Sequence, residues 1–381
     1  MIDDAEVFLE ECPASPLGHI LALRSHTDGT DTDITHLNAD SPNDVSIYIT
    51  HSCNLRCAHC YLSAGKPLKR ELTVNEWLIV LDKLRELGVR IIYIIGGEPS
   101  LLIKRGLLTI IRYARELGFY VSMSTNGTLI NRDAAMKLRE AGLSQVQVSI
   151  DGPNPAVNDA IRGVGSFNAA IKAIGFLKEA GIAVSLSYTV MSSNAYYVSD
   201  MVRLAERLGI PVITFIKVQG FGRASENRLG LSDEEARYVV NELMRIKTNV
   251  KIILNGFRWY LDDVIRGYQR AKDRLRKLGI IEYSTCPAGR SRFVIDSNGD
   301  VYGCELLMHR EFYEGNALSD DLRSIWRNGF KAFRDRKYIN IAPCNKCPLA
   351  DLCNSSCPAR AFAAGGSVNL RDPQCNITLP H

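Results

Sequence analysis

The sequence predicts an α/β chain: a partial (β/α)6 TIM-like barrel followed by a small cysteine-rich domain with a β-hairpin. Three observations predict it. Six short β-rich runs alternate with helical stretches, the helices close on a repeated phrase ending in glycine, and ten of the 11 cysteines fall in two clusters flanking a cysteine-free body. The strands read Val45–Thr50, Arg90–Ile95, Tyr120–Ser124, Gln145–Ile150, Ala183–Val190 and Val212–Val218. They are mostly continuous apolar or β-branched runs, the pattern of parallel strands buried on both faces. The helix-end phrases finish on Gly88, Gly118, Gly142, Gly181 and Gly209, each followed shortly by the next strand. Glycine suits the left-handed conformation of a helix C-cap. Thr73 with Glu76, and Ser232 with Glu235, have capping-box spacing. From glycine to glycine the units repeat every 24 to 39 residues, as in a barrel or a doubly wound sheet, and six units fall short of the eight of a closed barrel. In both architectures chemistry gathers at the carboxyl ends of the strands. The first three cysteines lie just past the first of those ends.

Composition excludes little and directs attention to the cysteines. A net charge of +4 over 381 residues calls for no nucleic-acid partner and no anionic membrane surface. No apolar run approaches the roughly 20 residues of a membrane span. The stretch Met1–Glu11 is acidic, unlike a secretory signal, so a cytoplasmic protein is expected. In a reducing compartment cysteines more often bind metal or do chemistry than form disulfides. The expected organisation is an N-terminal extension (1–44), the barrel (45–255), a linking helix (256–285) and the cysteine-rich domain (286–381).

The first cluster reads His51–Ser52–Cys53–Asn54–Leu55–Arg56–Cys57–Ala58–His59–Cys60–Tyr61. Three thiolates in a Cys-x3-Cys-x2-Cys loop can hold three corners of a [4Fe–4S] cube and leave one iron open. A zinc site completed by His51 or His59 fits the same spacing. The next motif bears on the choice: Gly96–Gly97–Glu98–Pro99 ends the second strand.

The Cys-x3-Cys-x-aromatic-Cys pattern, with His59 in the aromatic slot, resembles the signature of the radical S-adenosylmethionine superfamily, and Gly96–Pro99 resembles its second motif. The resemblance covers about residues 45 to 220. It implies that Cys53, Cys57 and Cys60 hold a [4Fe–4S] cluster, that S-adenosylmethionine chelates the open iron, and that reductive cleavage gives a 5′-deoxyadenosyl radical. It further implies a cofactor-binding set of Tyr61, Gly96, Gly97, Glu98, Pro99, Ser124, Asn126, Ser149, Asp151 and Arg162. Glycines here would let backbone carbonyls approach the methionyl ammonium, and Glu98 would add charge. Taken singly, Asn126–Gly127 and Asp151–Gly152 are ordinary turn pairs.

The tail spaces its cysteines as Cys286-x17-Cys304, then Cys344-x2-Cys347-x5-Cys353-x3-Cys357-x17-Cys375. Asn298–Gly299 between the first two marks a hairpin. The seven-cysteine spacing resembles the SPASM auxiliary domain found in a subset of these enzymes; paired zinc sites are the alternative. By resemblance, Cys344, Cys347, Cys353 and Cys375 ligate an outer [4Fe–4S] cluster. Cys286, Cys304 and Cys357 ligate an inner one, whose fourth position is open or filled by another residue type. Three clusters in all are thus implied, with an electron donor such as a flavodoxin or ferredoxin. Cys12 reads as a buried small hydrophobe, Arg266–Lys277 as a solvated basic helix face with an acidic-substrate contact as the alternative, and Phe257, Trp259 and Tyr260 as core residues with a substrate-cavity lining as the alternative. The acidic first 44 residues read as a disordered segment or a lid, too short for a leader-binding domain. The expected reaction is oxidative modification of a peptide or protein side chain. Tailoring of a haem-type tetrapyrrole side chain is the second reading, and a non-catalytic zinc or iron–sulfur scaffold is the third.

Overall fold

The computed structural model describes residues 41–257, 286–347 and 355–375, together with the backbone of 7–10. The linking segment from 258 onward with its basic run, the aromatics Trp259 and Tyr260, and the cysteines Cys12 and Cys353 lie outside the described residues.

All six expected strands form. They are β2 (Asp44–Tyr48), β3 (Ile91–Ile95), β4 (Tyr120–Thr125), β5 (Gln145–Ser149), β6 (Ala183–Val190) and β7 (Val212–Lys217). Each pairs in parallel with the next. The order therefore follows the sequence, without the reversal that defines a doubly wound sheet. Five further strands extend it: β1 (Val7–Glu10), β8 (Lys251–Asn255), β9 (Arg292–Ile295), β10 (Asp300–Tyr302) and β11 (Gly315–Asn316). The full order is β1-β8-β7-β6-β5-β4-β3-β2-β9-β10-β11, so the barrel stays open. The acidic N-terminal segment thus supplies a strand, β1, parallel to β8.

The glycine phrases do what their position suggests. Gly88, Gly118, Gly142, Gly181 and Gly209 all take positive φ, from 61° to 94°. The first long helix, α1 (Val74–Leu87), carries the capping box of Thr73 and Glu76 in full.

The strands are buried, but they are not uniformly apolar. On one face Ile92, Ile94, Val121, Met123, Val146, Val148, Leu186, Ile213 and Phe215 join the helices in the hydrophobic core. The alternate positions Ser122, Gln145, Gln147, Ser185, Ser187 and Thr214 are also buried; across the sheet, Gln145 donates to Ser185 Oγ at 2.8 Å and Tyr93 Oη donates to Gln147 at 3.1 Å. The period of two, masked by buried Ser, Gln and Thr, marks a barrel whose bore is polar.

The hairpin around Asn298–Gly299 forms between β9 and β10, with Gly299 at φ 92°. Its strand β9 lies parallel to β2, so the cysteine-rich region continues the barrel sheet. A buried ionic joint fastens that seam: Arg292 meets Asp44 at 2.9 Å and Glu305 at 2.8 Å. Removing one partner would leave a buried unpaired charge, a loss of about 3–5 kcal/mol.

Candidate active site

The carboxyl ends of β2 to β7 open into a cavity of about 210 Å³, lined on one side by Cys53, Cys57 and Cys60. The loop that carries them is registered by backbone. Cys53 donates to the Gly65 carbonyl at 3.3 Å, and Gly65 donates to His51 at 2.9 Å. Arg223, in the short helix α2 (Arg223–Glu226), reaches across to the carbonyls of Cys57 at 2.9 Å and Ala64 at 3.0 Å. Burial pushes the Cys53 thiol up to about 11, and raises Cys57 as well. Deprotonation at neutral pH is left to a bound metal.

Gly96 and Gly97 serve this loop directly. A Cβ on Gly96 would stand 2.4 Å from the Thr50 carbonyl oxygen, and one on Gly97 only 2.1 Å from that of Ser52. That closeness lets Gly97 donate to Thr50 at 2.7 Å and Glu98 donate to Ser52 at 2.8 Å. Close backbone packing, rather than ligand approach alone, requires the glycines. Glu98 is buried and accepts from Ser100 N, Ser100 Oγ, Thr125 Oγ1 and Asn126 N. Three of these fall on Oε1, so Oε2, which takes only Asn126, retains acceptor capacity at the cavity.

Arg162 lines the cavity, 3.9 Å from Cys57 Sγ. Asp151 does not line it. It lies fully buried behind, 2.5 Å from Arg162 Nε and 2.6 Å from His59 Nε2, and accepts from Thr189 N at 2.7 Å. Burial would raise its carboxyl, but Arg162 and His59 together hold it at about 2. His51 likewise meets Asp296 at 2.6 Å. Both histidines of the zinc alternative therefore spend Nε2 on a carboxylate.

The remaining expected residues divide in the same way. Tyr61, Ser124, Asn126 and Ser149 line the cavity, whereas Pro99 is buried at the start of a 3-10 turn (Pro99–Arg105). Sequence reasoning missed Gln147, Ser187, Thr189 and Arg223, which also line it. The first three sit on the polar parity of their strands, a usable signal. Arg223 has none, since its partner carbonyls lie 159 and 166 residues away.

One lining residue comes from the cysteine-rich region: Leu306, two positions after Cys304. Elsewhere in that region Cys286 is pushed up to about 12 by burial and by the neighbouring Cys357 thiol. Arg371 donates to Cys375 Sγ at 3.3 Å and is raised by that bond and by the nearby Cys344 and Cys347. None of the nine described cysteines of the two clusters is in a disulfide.

Residues 47–208 match the radical SAM superfamily and residues 286–348 match the SPASM iron–sulfur cluster-binding domain. The mycofactocin maturase of Mycolicibacterium smegmatis is 31% identical over 340 residues, covering 88% of this chain and 83% of that protein. The chain belongs to the radical SAM superfamily. The AdoMet-dependent heme synthase of Oleidesulfovibrio alaskensis is 32% identical over 343 residues, covering 86% of this chain and 85% of its own length. In fold, Streptococcus suis SuiB bound to its precursor peptide SuiA superposes with a TM-score of 0.72 at 18% identity, covering 96% of this chain and 82% of that one.

This radical SAM enzyme accordingly uses S-adenosylmethionine and iron–sulfur clusters, and its residues fit them. Three thiols border a space with no fourth cysteine in the loop. Backbone and Glu98 Oε2 offer acceptors, and Arg162 offers a cation, matching an ammonium and a carboxylate. Among the described residues no helix is long and apolar enough to cross a membrane.

Proposed function

We propose that this enzyme oxidises a peptide or protein side chain at an unactivated C–H bond. The observation that carries the reading is Leu306: the cysteine-rich region walls the same cavity that the first three cysteines border. S-adenosylmethionine held at the Cys53–Cys60 loop supplies a hydrogen-atom acceptor. A substrate that has lost a hydrogen atom must lose one more electron to become a closed-shell oxidised product. Cys304, two residues from the cavity wall, would help hold an inner auxiliary cluster, which would supply an electron acceptor there. The chain's own part is to hold the cofactor carboxylate at Arg162, register the cysteine loop with Gly96, Gly97 and Arg223, and shield the bore from solvent. We assign the inner cluster to Cys286, Cys304 and Cys357 and the outer to Cys344, Cys347, Cys353 and Cys375, three clusters in all.

A peptide substrate is supported by the PqqA peptide cyclase of Bradyrhizobium diazoefficiens, 26% identical over 351 residues, covering 89% of this chain and 87% of that protein. The named heme synthase relative supports the second reading, a tetrapyrrole side chain. The test is anaerobic incubation of reconstituted enzyme, S-adenosylmethionine and reductant with candidate peptides and with iron porphyrins, followed by mass spectrometry. Loss of hydrogen or of carbon dioxide from a peptide supports the first reading. The same change in a porphyrin alone overturns it in favour of the second.

A further inference from the structure

The reaction just described makes no use of the most elaborate buried ion pair in the cysteine-rich region. Asp372 is 1% exposed and Arg360 4%. The guanidinium grips the carboxylate through Nη2 at 2.6 Å and through Nε at 3.0 and 3.1 Å. Arg360 stands in helix α3 (Pro358–Gly365), whose N-cap is Cys357.

Besides a side-chain bond with Ser356, Asp372 accepts from the backbone of two cysteine-bearing turns. Oδ2 accepts from Cys357 N at 3.1 Å, and Oδ1 accepts from Gln374 N at 3.0 Å. Its own carbonyl accepts from Cys375 N at 3.0 Å. These two cysteines belong to different neighbourhoods: Cys357 lies beside Cys286, whereas Cys375 lies with Cys344 and Cys347 around Arg371.

The approach to Cys357 is stiffened from the other side. Ser355 and Ser356 hold φ of 60° and 57°, left-handed values that non-glycine residues adopt only when their surroundings impose them. Arg336, itself buried, imposes them by donating to the carbonyls of Ser355 at 2.8 Å, Ser356 at 3.3 Å, Val368 at 2.5 Å and Leu370 at 3.2 Å. Arg360 Nη2 adds a bond to Ser356 Oγ at 3.2 Å.

We infer that Asp372, locked by Arg360, is a positioning residue that sets one ligand of each auxiliary cluster, Cys357 of the inner and Cys375 of the outer, so that the two clusters assemble as a unit. The inference rests on the division of the seven cysteines proposed above. A carboxylate alone could make these backbone bonds, but beside two anionic thiolate clusters it would be repelled. Arg360 cancels that charge and fixes the carboxylate's plane.

The test uses full-length protein reconstituted anaerobically, with iron counted and auxiliary signals followed by redox-poised electron paramagnetic resonance. Wild-type enzyme should hold about 12 irons, and D372N about four, in the first cluster alone. Reductive formation of 5′-deoxyadenosine by D372N shows that the barrel has folded. R360K keeps the charge while losing the fork, so both clusters should assemble and both potentials should shift. Loss of about four irons rather than eight in D372N, or a shift of only one potential in R360K, overturns the joint role. Unchanged iron and potentials in both variants overturn it entirely. Wild-type protein with fewer than two auxiliary clusters overturns the division of cysteines beneath it, and the inference with it.

Discussion

The two cysteine regions reach similar ends by opposite means. The first is mostly local: Cys53, Cys57 and Cys60 fall within eight residues, and main-chain bonds to Gly65, Thr50 and Ser52 set their geometry, with Arg223 as one long-range clamp. The second is assembled from residues 286 to 375, and buried Arg336, Arg360 and Asp372 hold its turns. A local loop can be fixed by close packing, since little chain entropy separates its ends. Turns brought together from far apart need directional, charged contacts. The first region should therefore be most sensitive to an added methyl group, and the second to a removed charge.

Cleavage of S-adenosylmethionine, followed as 5′-deoxyadenosine, ranks the ways to break this contrast. Cys57→Ala should abolish it, with iron falling by about four per chain. Gly97→Ala should slow it at least about 100-fold, because a Cβ 2.1 Å from the Ser52 oxygen must displace the loop, and catalytic geometry tolerates about 1 Å poorly. The auxiliary iron should be unaffected. Asp151→Asn should raise the KM for S-adenosylmethionine about 10-fold by loosening Arg162. It should also change acid stability. The folded carboxyl titrates at about 2, below its ordinary value of about 3.9. Its contribution is therefore complete above that ordinary value and lost as pH falls through about 2. Melting curves of the variant should lack that part of the acid limb.

Cys344→Ala sharpens the contrast from the other side: nucleoside should still form, but uncoupled from substrate oxidation, giving a higher ratio of 5′-deoxyadenosine to product. Thr73→Ala removes only the cap of α1 and should cost about 1 kcal/mol in a denaturant melt, with cleavage unchanged.

How much of this was legible in the sequence follows the same division. The six strands, their capping glycines and the order of motifs at strand ends are local patterns, and all were readable from Val45 onward. The polar bore was not, because Ser, Gln and Thr on β4, β5 and β6 look like weak breaks in an apolar run until opposite faces are separated. The pairing of β9 with β2, the strand β1, and the clamps Arg223 and Arg336 depend on contacts between distant segments, which no spacing encodes. Asp151 shows the finer limit. Its motif pointed to the cofactor, yet the side chain works one layer back, holding Arg162 and His59.

The most direct measurement of the central claim, that both regions serve one oxidative site, is nucleoside analysis of reconstituted protein under reducing, anaerobic conditions. Wild-type enzyme should contain iron and release 5′-deoxyadenosine from S-adenosylmethionine. Cys53→Ala should release none, and Cys304→Ala should still release it while oxidised product falls. Zinc in place of iron with no nucleoside, or full product formation by Cys304→Ala, would contradict the account.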